Sequence, residues 1–273
     1  MITVRQQRHG SVLHIQLNRP EKRNALNDQM FDELSAVAEE ARADTTLGAV
    51  VVSGAGRSFC AGLDFETHRA VADEGAAGER PYADPNDPTS RGRRVPGRGQ
   101  RIVRALRNNP VPVIAALHGH AIGGGLQIAL GADIRIATDD VVLCAAEIEF
   151  GMTLDMGGTQ LLPRLIGSDQ ALALITTGVR VSGVQASALG LVTRLSEEPV
   201  VAALALAEVI AGRSPNAVRQ TKRLVRLSES ATLEAGMVEE LSVMAANIGS
   251  ADQVKAAQQY LGTTKNRSAA TTI

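Results

Sequence analysis

The chain has 273 residues, with 28 basic and 29 acidic side chains and a formal net charge of −1, long enough for one large domain or a domain with an appendage. That balance gives no global field for nucleic acid or a membrane surface, and 2% aromatic content without Trp leaves no stacking platform for single-stranded nucleic acid. No apolar run approaches membrane-spanning length, and Cys60 and Cys144 lie far apart outside any Cys-x-x-Cys spacing, as expected of a reduced, cytoplasmic protein.

Residues 2–17 alternate like two short strands about the turn His9-Gly10-Ser11, with no apolar signal block before them. A polar loop, Asn18 to Asn24, precedes a helix predicted from Asn27 to Ala43, with Met30, Phe31, Leu34, Val37, Ala38 and Ala41 on one face. Leu47–Val52 reads as a buried strand that stops at Ser53-Gly54-Ala55-Gly56. Arg69 to about Gly99 is polar and rich in Gly, Pro, Arg and Asp, the composition of a mobile loop. Helix is expected again over 100–108, strand over 111–117, and strands over Asp133–Ala137 and Val141–Ala145, where Cys144 reads as a small buried apolar residue. The remainder reads as helical, with helices near 200–212, 215–228, 231–247 and 251–261; Ser214-Pro215 supplies a capping residue and a first-turn proline.

The richest segment is Pro112 to Ala129, an apolar strand that ends in Gly123-Gly124-Gly125 just before a helical pattern. Such a turn brings backbone close to a ligand and aims free helix-start amides at an anion or a developing oxyanion. The same glycines also suit plain tight packing of strand on helix. No Lys-Ser or Lys-Thr follows them, which excludes a Walker loop, and the spacing of Gly119, Gly123, Gly124 and Gly125 is not the dinucleotide fingerprint. A second glycine-rich loop, Ser53–Asp64, follows the earlier buried strand. A third segment, Ala146–Gln160, sets carboxylates among apolar residues and glycines, where burial and neighbouring charge tune proton affinity.

Taken together, Asn18-Arg19-Pro20 with Asn24-Ala25-Leu26, the Phe59–Asp64 loop, the His118–Gln127 turn, Ala132–Arg135, Glu147–Gln160 and Ser182–Val192 resemble the crotonase superfamily, the enoyl-CoA hydratase/isomerase group. They cover most of residues 2–195 in the family's order. The resemblance implies an α/β fold: a crotonase-like spiral of β-β-α units over 1–199, with 65–100 as a variable segment, and a helical C-terminal trimerisation region over 200–273. It implies an acyl-CoA thioester substrate, with coenzyme A entering as part of that substrate and no separate cofactor or metal. It further implies a homotrimer or dimer of trimers. Two backbone amides, those of Ala61 and Gly124, are expected to hold the thioester oxygen as it gains charge, and one such donor is typically worth about 3–4 kcal/mol.

The acids decide which chemistry follows. Hydratases of the family use two glutamates; the second matches Glu147, whereas the first falls on Gln127, which orients a substrate or water but cannot exchange a proton at neutral pH. Asp155, where the hydratases carry glycine, matches an acid of the family's dienoyl-CoA isomerases, as does Glu147. The favoured activity is therefore an enoyl- or dienoyl-CoA isomerase with Glu147 and Asp155 as proton carriers. The alternatives are a hydratase working through Glu147 alone and a binding protein that has lost catalysis. Glu149 and Asp64 are expected to be structural. His118 and His120 have a metal-pair spacing without further ligands, and packed histidines fit them better. Arg19, Lys22 and Arg23 suit the CoA phosphates or a solvated loop; His68 and Lys265 are further residues near the acyl chain and the CoA.

Overall fold

The computed structural model describes residues 2–64 and 97–270, with side chains through 261. His68 and most of the expected loop lie outside the described residues, and so does the side chain of Lys265.

The alternating amino-terminal residues form the antiparallel pair β1 (Val4–His9) and β2 (Val12–Leu17). Helix α1 (Asp28–Ala43) is capped by Asn27, whose side chain accepts from the Met30 amide at 3.0 Å, and it buries the six apolar residues that share one face. Strand β3 (Ala49–Gly54) runs two residues past the expected stop, because Ser53 and Gly54 still pair with Gln16 and Leu17 of β2. After the undescribed segment come α2 (Arg98–Arg107), β4 (Val113–Leu117), β5 (His120–Ile122) and α3 (Gly124–Gly131). The expected loop therefore ends by Arg98, two residues before the predicted helix start.

Strands β6 (Ile134–Ala137) and β7 (Val142–Cys144) follow, then a 3-10 turn over Ala146–Phe150 and helices α4 (Gly158–Ile166) and α5 (Ser168–Thr177). Three strands escape sequence reading: the three-residue β5, which lies inside the expected glycine turn, and then β8 (Val181–Ser182) and β9 (Arg194–Leu195), on either side of α6 (Gly183–Leu189). Two residues leave no alternating pattern, and β8 and β9 form only because β7 and β6 offer edges to pair with.

The main sheet has the order β1-β2-β3-β4-β6-β9, parallel from β2 onward, and a second sheet has the order β5-β7-β8. Helices α1 and α2 and the apolar residues of α3 and α4 pack into the larger core cluster. The opposite face of the main sheet presents Val12, Ala49, Val51, Ile114, Ala116 and Ile136, and α7 (Pro199–Ala211) covers it with Ala203 and Ala207. Small residues at the contact let the helix approach closely. So α7 completes the core rather than opening the tail.

Beyond it, α8 (Pro215–Leu227) and α9 (Leu233–Asn247) contain no buried residue. Charge anchors α8: Asp133 takes Lys222 at 2.7 Å and Arg226 at 2.6 Å, and Glu229 takes Arg164 at 2.9 Å. Helix α10 (Ala251–Ala270) runs past Gly262, since one interior glycine weakens a helix by about 1 kcal/mol without ending it. Among the described residues no helix is long and apolar enough to cross a membrane.

Candidate active site

The two glycine-rich loops are bound to each other through their main chains. Cys60 N donates to His120 O at 2.8 Å, and Ile122 N returns a bond to Cys60 O at 3.0 Å, so the loop extends the edge of β5. Gly125 permits this approach: a Cβ there would lie 2.5 Å from Cys60 O. Gly123, at φ +52° and ψ −119°, turns the chain into α3 with a backbone that L side chains rarely adopt. Its amide is spent on Cys144 O at 2.8 Å. The amide of Gly124, the first helical residue, has no partner among the described residues.

On the facing loop the expected donor changes. Ala61 N–H donates to Arg23 O at 3.0 Å and is occupied. Gly62 then turns the chain at φ +91°. Leu26 N binds Gly62 O at 2.7 Å and Asp64 N binds Leu26 O at 2.9 Å, which leaves the intervening Leu63 amide facing away from Leu26 and without a partner among the described residues. Leu26 also touches the helix start, since a Cβ on Gly124 would lie 2.8 Å from Leu26 Cδ1. Leu63 and Gly124 therefore both border Leu26, and each carries an amide with no partner among the described residues. A backbone amide has no residue type, so sequence reasoning misses Leu63.

Asp64 is buried and paired with Arg19 at 2.9 Å. Arg19 also donates to Ala25 O, and its own amide binds Asn24 Oδ1 at 2.8 Å. The Arg19 guanidinium is committed to holding this turn, which removes it from the expected phosphate contacts. Asn24, fully buried, donates to Ala55 O at 2.9 Å and Ser58 O at 2.7 Å and staples the same turn to the Ser53–Asp64 loop. Lys22 and Arg23 are exposed at the rim. His118 bonds Gly56 O at 3.0 Å and His120 bonds the Ser58 hydroxyl at 2.9 Å, so both histidines serve the loop junction.

Gln127, fully buried on α3, organises the acids. Its Oε1 accepts from Met156 N at 2.8 Å and Gly158 N at 3.1 Å. Those backbone donors fix which end of the amide is oxygen. The NH2 group is thereby turned to the carboxylates and donates to Glu147 Oε1 at 2.7 Å. Glu147 sits in the 3-10 turn, half-buried, and its buried Oε2 has no partner among the described residues. Burial pushes its pKa up and the nearby Asp155 charge adds to this, against the Gln127 bond. Asp155 keeps solvent access at the mouth, yet enough protein crowds it that desolvation raises its pKa too, again opposed by the Gln127 amide. Glu149 is turned outward by the 3-10 geometry and pairs with Arg180 at 2.9 Å.

The sequence profile of the family described as enoyl-CoA hydratase/isomerase matches residues 7–268. The chain is 31% identical to the peroxisomal Delta(3,5)-Delta(2,4)-dienoyl-CoA isomerase of Arabidopsis thaliana over 237 residues, 86% of this chain and 84% of that protein. It is 30% identical to the short-chain-enoyl-CoA hydratase of Clostridium acetobutylicum over 258 residues, 93% of each chain. Among solved structures, an enoyl-CoA hydratase from Polaromonas sp. JS666 superimposes with a TM-score of 0.82 at 26% identity, covering 95% of this chain and 97% of that one. The chain belongs to the enoyl-CoA hydratase/isomerase family of the crotonase superfamily.

Proposed function

We propose that this protein is an acyl-CoA isomerase that moves a carbon–carbon double bond, with an enoyl- or dienoyl-CoA thioester as substrate. The observation that carries this is the pinned amide of Gln127 between two carboxylates of raised proton affinity. The two-glutamate hydration mechanism uses a proton-carrying group at that position, and a side-chain amide carries none. Isomerisation needs one base and one acid, and two unlike carboxylates supply them.

In this scheme the Leu63 and Gly124 amides receive the thioester oxygen. The ionised carboxylate takes a proton from the carbon next to the thioester, and the electron pair passes to the carbonyl oxygen as an enolate. Amide dipoles already in place stabilise that charge without reorganising. When the carbonyl re-forms, the pair moves along the conjugated chain and the far carbon takes a proton from the neutral carboxyl. One proton leaves and one arrives, so neither water nor an oxidant is consumed. Solvent access at Asp155 lets the pair restore its starting protonation.

The test is double-bond migration in a 3,5-dienoyl-CoA, followed by diene absorbance and by deuterium uptake beside the thioester. Glu147→Gln and Asp155→Asn are each expected to slow it about a thousandfold. Wild-type rates in both variants would refute the scheme. Hydration of crotonyl-CoA faster than diene migration would favour the hydratase instead, with the unpartnered Oε2 of Glu147 as its water site.

We also propose that the protein assembles as a homotrimer or dimer of trimers. Support comes from α9, where Met237, Val238, Leu241 and Met244 are each more than half exposed, at 55%, 68%, 73% and 59%. Light scattering that reports a monomer at micromolar concentration would contradict this.

A further inference from the structure

The peptide unit joining Asp155 to Met156 is gripped at both edges. Its N–H donates to Gln127 Oε1 at 2.8 Å, from inside the core. Its carbonyl oxygen, that of Asp155, accepts from Gln100 Nε2 at 2.8 Å, from the surface. Two opposed bonds on one planar unit fix its rotation, and with it the direction in which the Asp155 side chain leaves the backbone.

Gln100 sits in the first turn of α2, and its neighbours hold that turn in place. Arg98 ties it to α1 through Asp28 at 2.9 Å and through Asp32. Gly99 lies directly against Met156: a Cβ there would fall 2.4 Å from Met156 Cγ and 2.7 Å from its sulfur. The missing side chain is what lets α2 come near enough for Gln100 to reach the Asp155 carbonyl.

We propose that Gln100 is a positioning residue for proton transfer, holding the Asp155–Met156 peptide unit against Gln127 so that the Asp155 carboxylate stays aimed at the acyl chain. This rests on the assignment of Asp155 as a proton carrier. Proton transfer is sensitive to sub-ångström placement, so losing one such bond acts on the chemical step rather than on binding.

The experiment compares Gln100→Ala, Gln100→Lys, Asp155→Asn and the double variant Gln100→Ala/Asp155→Asn in diene migration, with melting temperatures measured beside the rates. Gln100→Ala is expected to lower kcat about fivefold with KM held within about twofold and Tm unchanged. Gln100→Lys, which supplies another N–H donor, recovers most of the loss. In the Asp155→Asn background, Gln100→Ala adds no further loss. An inactive Asp155→Asn beside a Gln100→Ala with wild-type kcat overturns the positioning role alone. A fully active Asp155→Asn overturns the role of Asp155 itself, and the positioning role falls with it. Should Gln100→Ala melt early, the decision passes to Gln100→Lys, where a kcat no better than that of a donor-free Gln100→Met overturns the proposal.

Discussion

The two halves of the site are built from different materials. On the amide side, everything that matters is main chain: Leu63 and Gly124 offer N–H groups whose places are set by glycines and by bonds between loops. On the acid side, what matters is side chain: the buried Gln127 amide binds Glu147, and the Gln127 and Gln100 amides hold the peptide unit that carries Asp155. A main-chain donor is removed only by proline; any other substitution can at most displace it, and displacing it strains the core. A side-chain acid can be neutralised with the fold left standing. In the proposed scheme the amide side would suit many acyl-CoA chemistries, and the acid side would select among them.

The sharpest break is a pair of substitutions, one on each side. Asp155→Asn is expected to remove nearly all turnover and leave Tm where it was. Gly125→Val is expected to do the reverse in order of cause: its Cβ would lie 2.5 Å from a backbone oxygen that cannot swing aside. It should lower Tm by roughly 10 °C and lose activity only as the loops part. If Gly125→Val instead keeps its Tm and loses turnover, the amide side is softer than its packing implies.

A smaller effect is expected where the halves meet. Gln127→Leu keeps the volume but strands the Met156 and Gly158 amides and the Glu147 Oε1 without their partner. The cost is about 2–4 kcal/mol of stability, from unsatisfied buried groups. Activity should fall about tenfold or more as the Asp155 segment relaxes. The Gln127 bond favours the ionised form of Glu147, so its loss moves the acid limb of the kcat profile to higher pH. An acid limb that stays put or moves down would show that Gln127 does not tune Glu147.

What the sequence displayed follows the same division. Elements with strong period, such as α1 with its six apolar residues and β2 through β4, were legible because burial on one face or both writes a pattern. The glycine turn and the carboxylate-bearing segment stood out by residue type, and the resemblance to the crotonase superfamily singled out Gly124, Gln127, Glu147 and Asp155 within them. Leu63 was hidden because a backbone amide has no residue type, and the choice between Ala61 and Leu63 turns on one φ at Gly62 and on the Arg23 carbonyl. Arg19 looked like a phosphate contact because its partner Asp64 lies 45 positions on, and ion pairing across loops leaves no local trace. Strands β8 and β9 were too short to show any period.

The smallest expected effect is also the one whose sign is least intuitive. Burial and the neighbouring Asp155 hold the Glu147 pKa above its ordinary value in the folded protein. A carboxyl raised in this way favours the folded state most at pH below its unfolded pKa, about 4.3, where it is neutral in both states. That contribution is lost as pH rises through the folded value, because the unfolded chain ionises first. Above that value the folded wild type carries the cost of burying this group's charge, and one of its buried oxygens has no partner among the described residues. Glu147→Gln removes that charge while keeping an oxygen to accept from Gln127, so the variant should melt about 2 °C higher at pH 7. The gain should shrink as the pH is lowered toward 4, because the wild-type acid becomes neutral as well. A variant that is less stable at pH 7 and gains on acidification would mean that Glu147 is held as a favourable ion, and the division between a rigid amide side and a strained acid side would fail at its central residue.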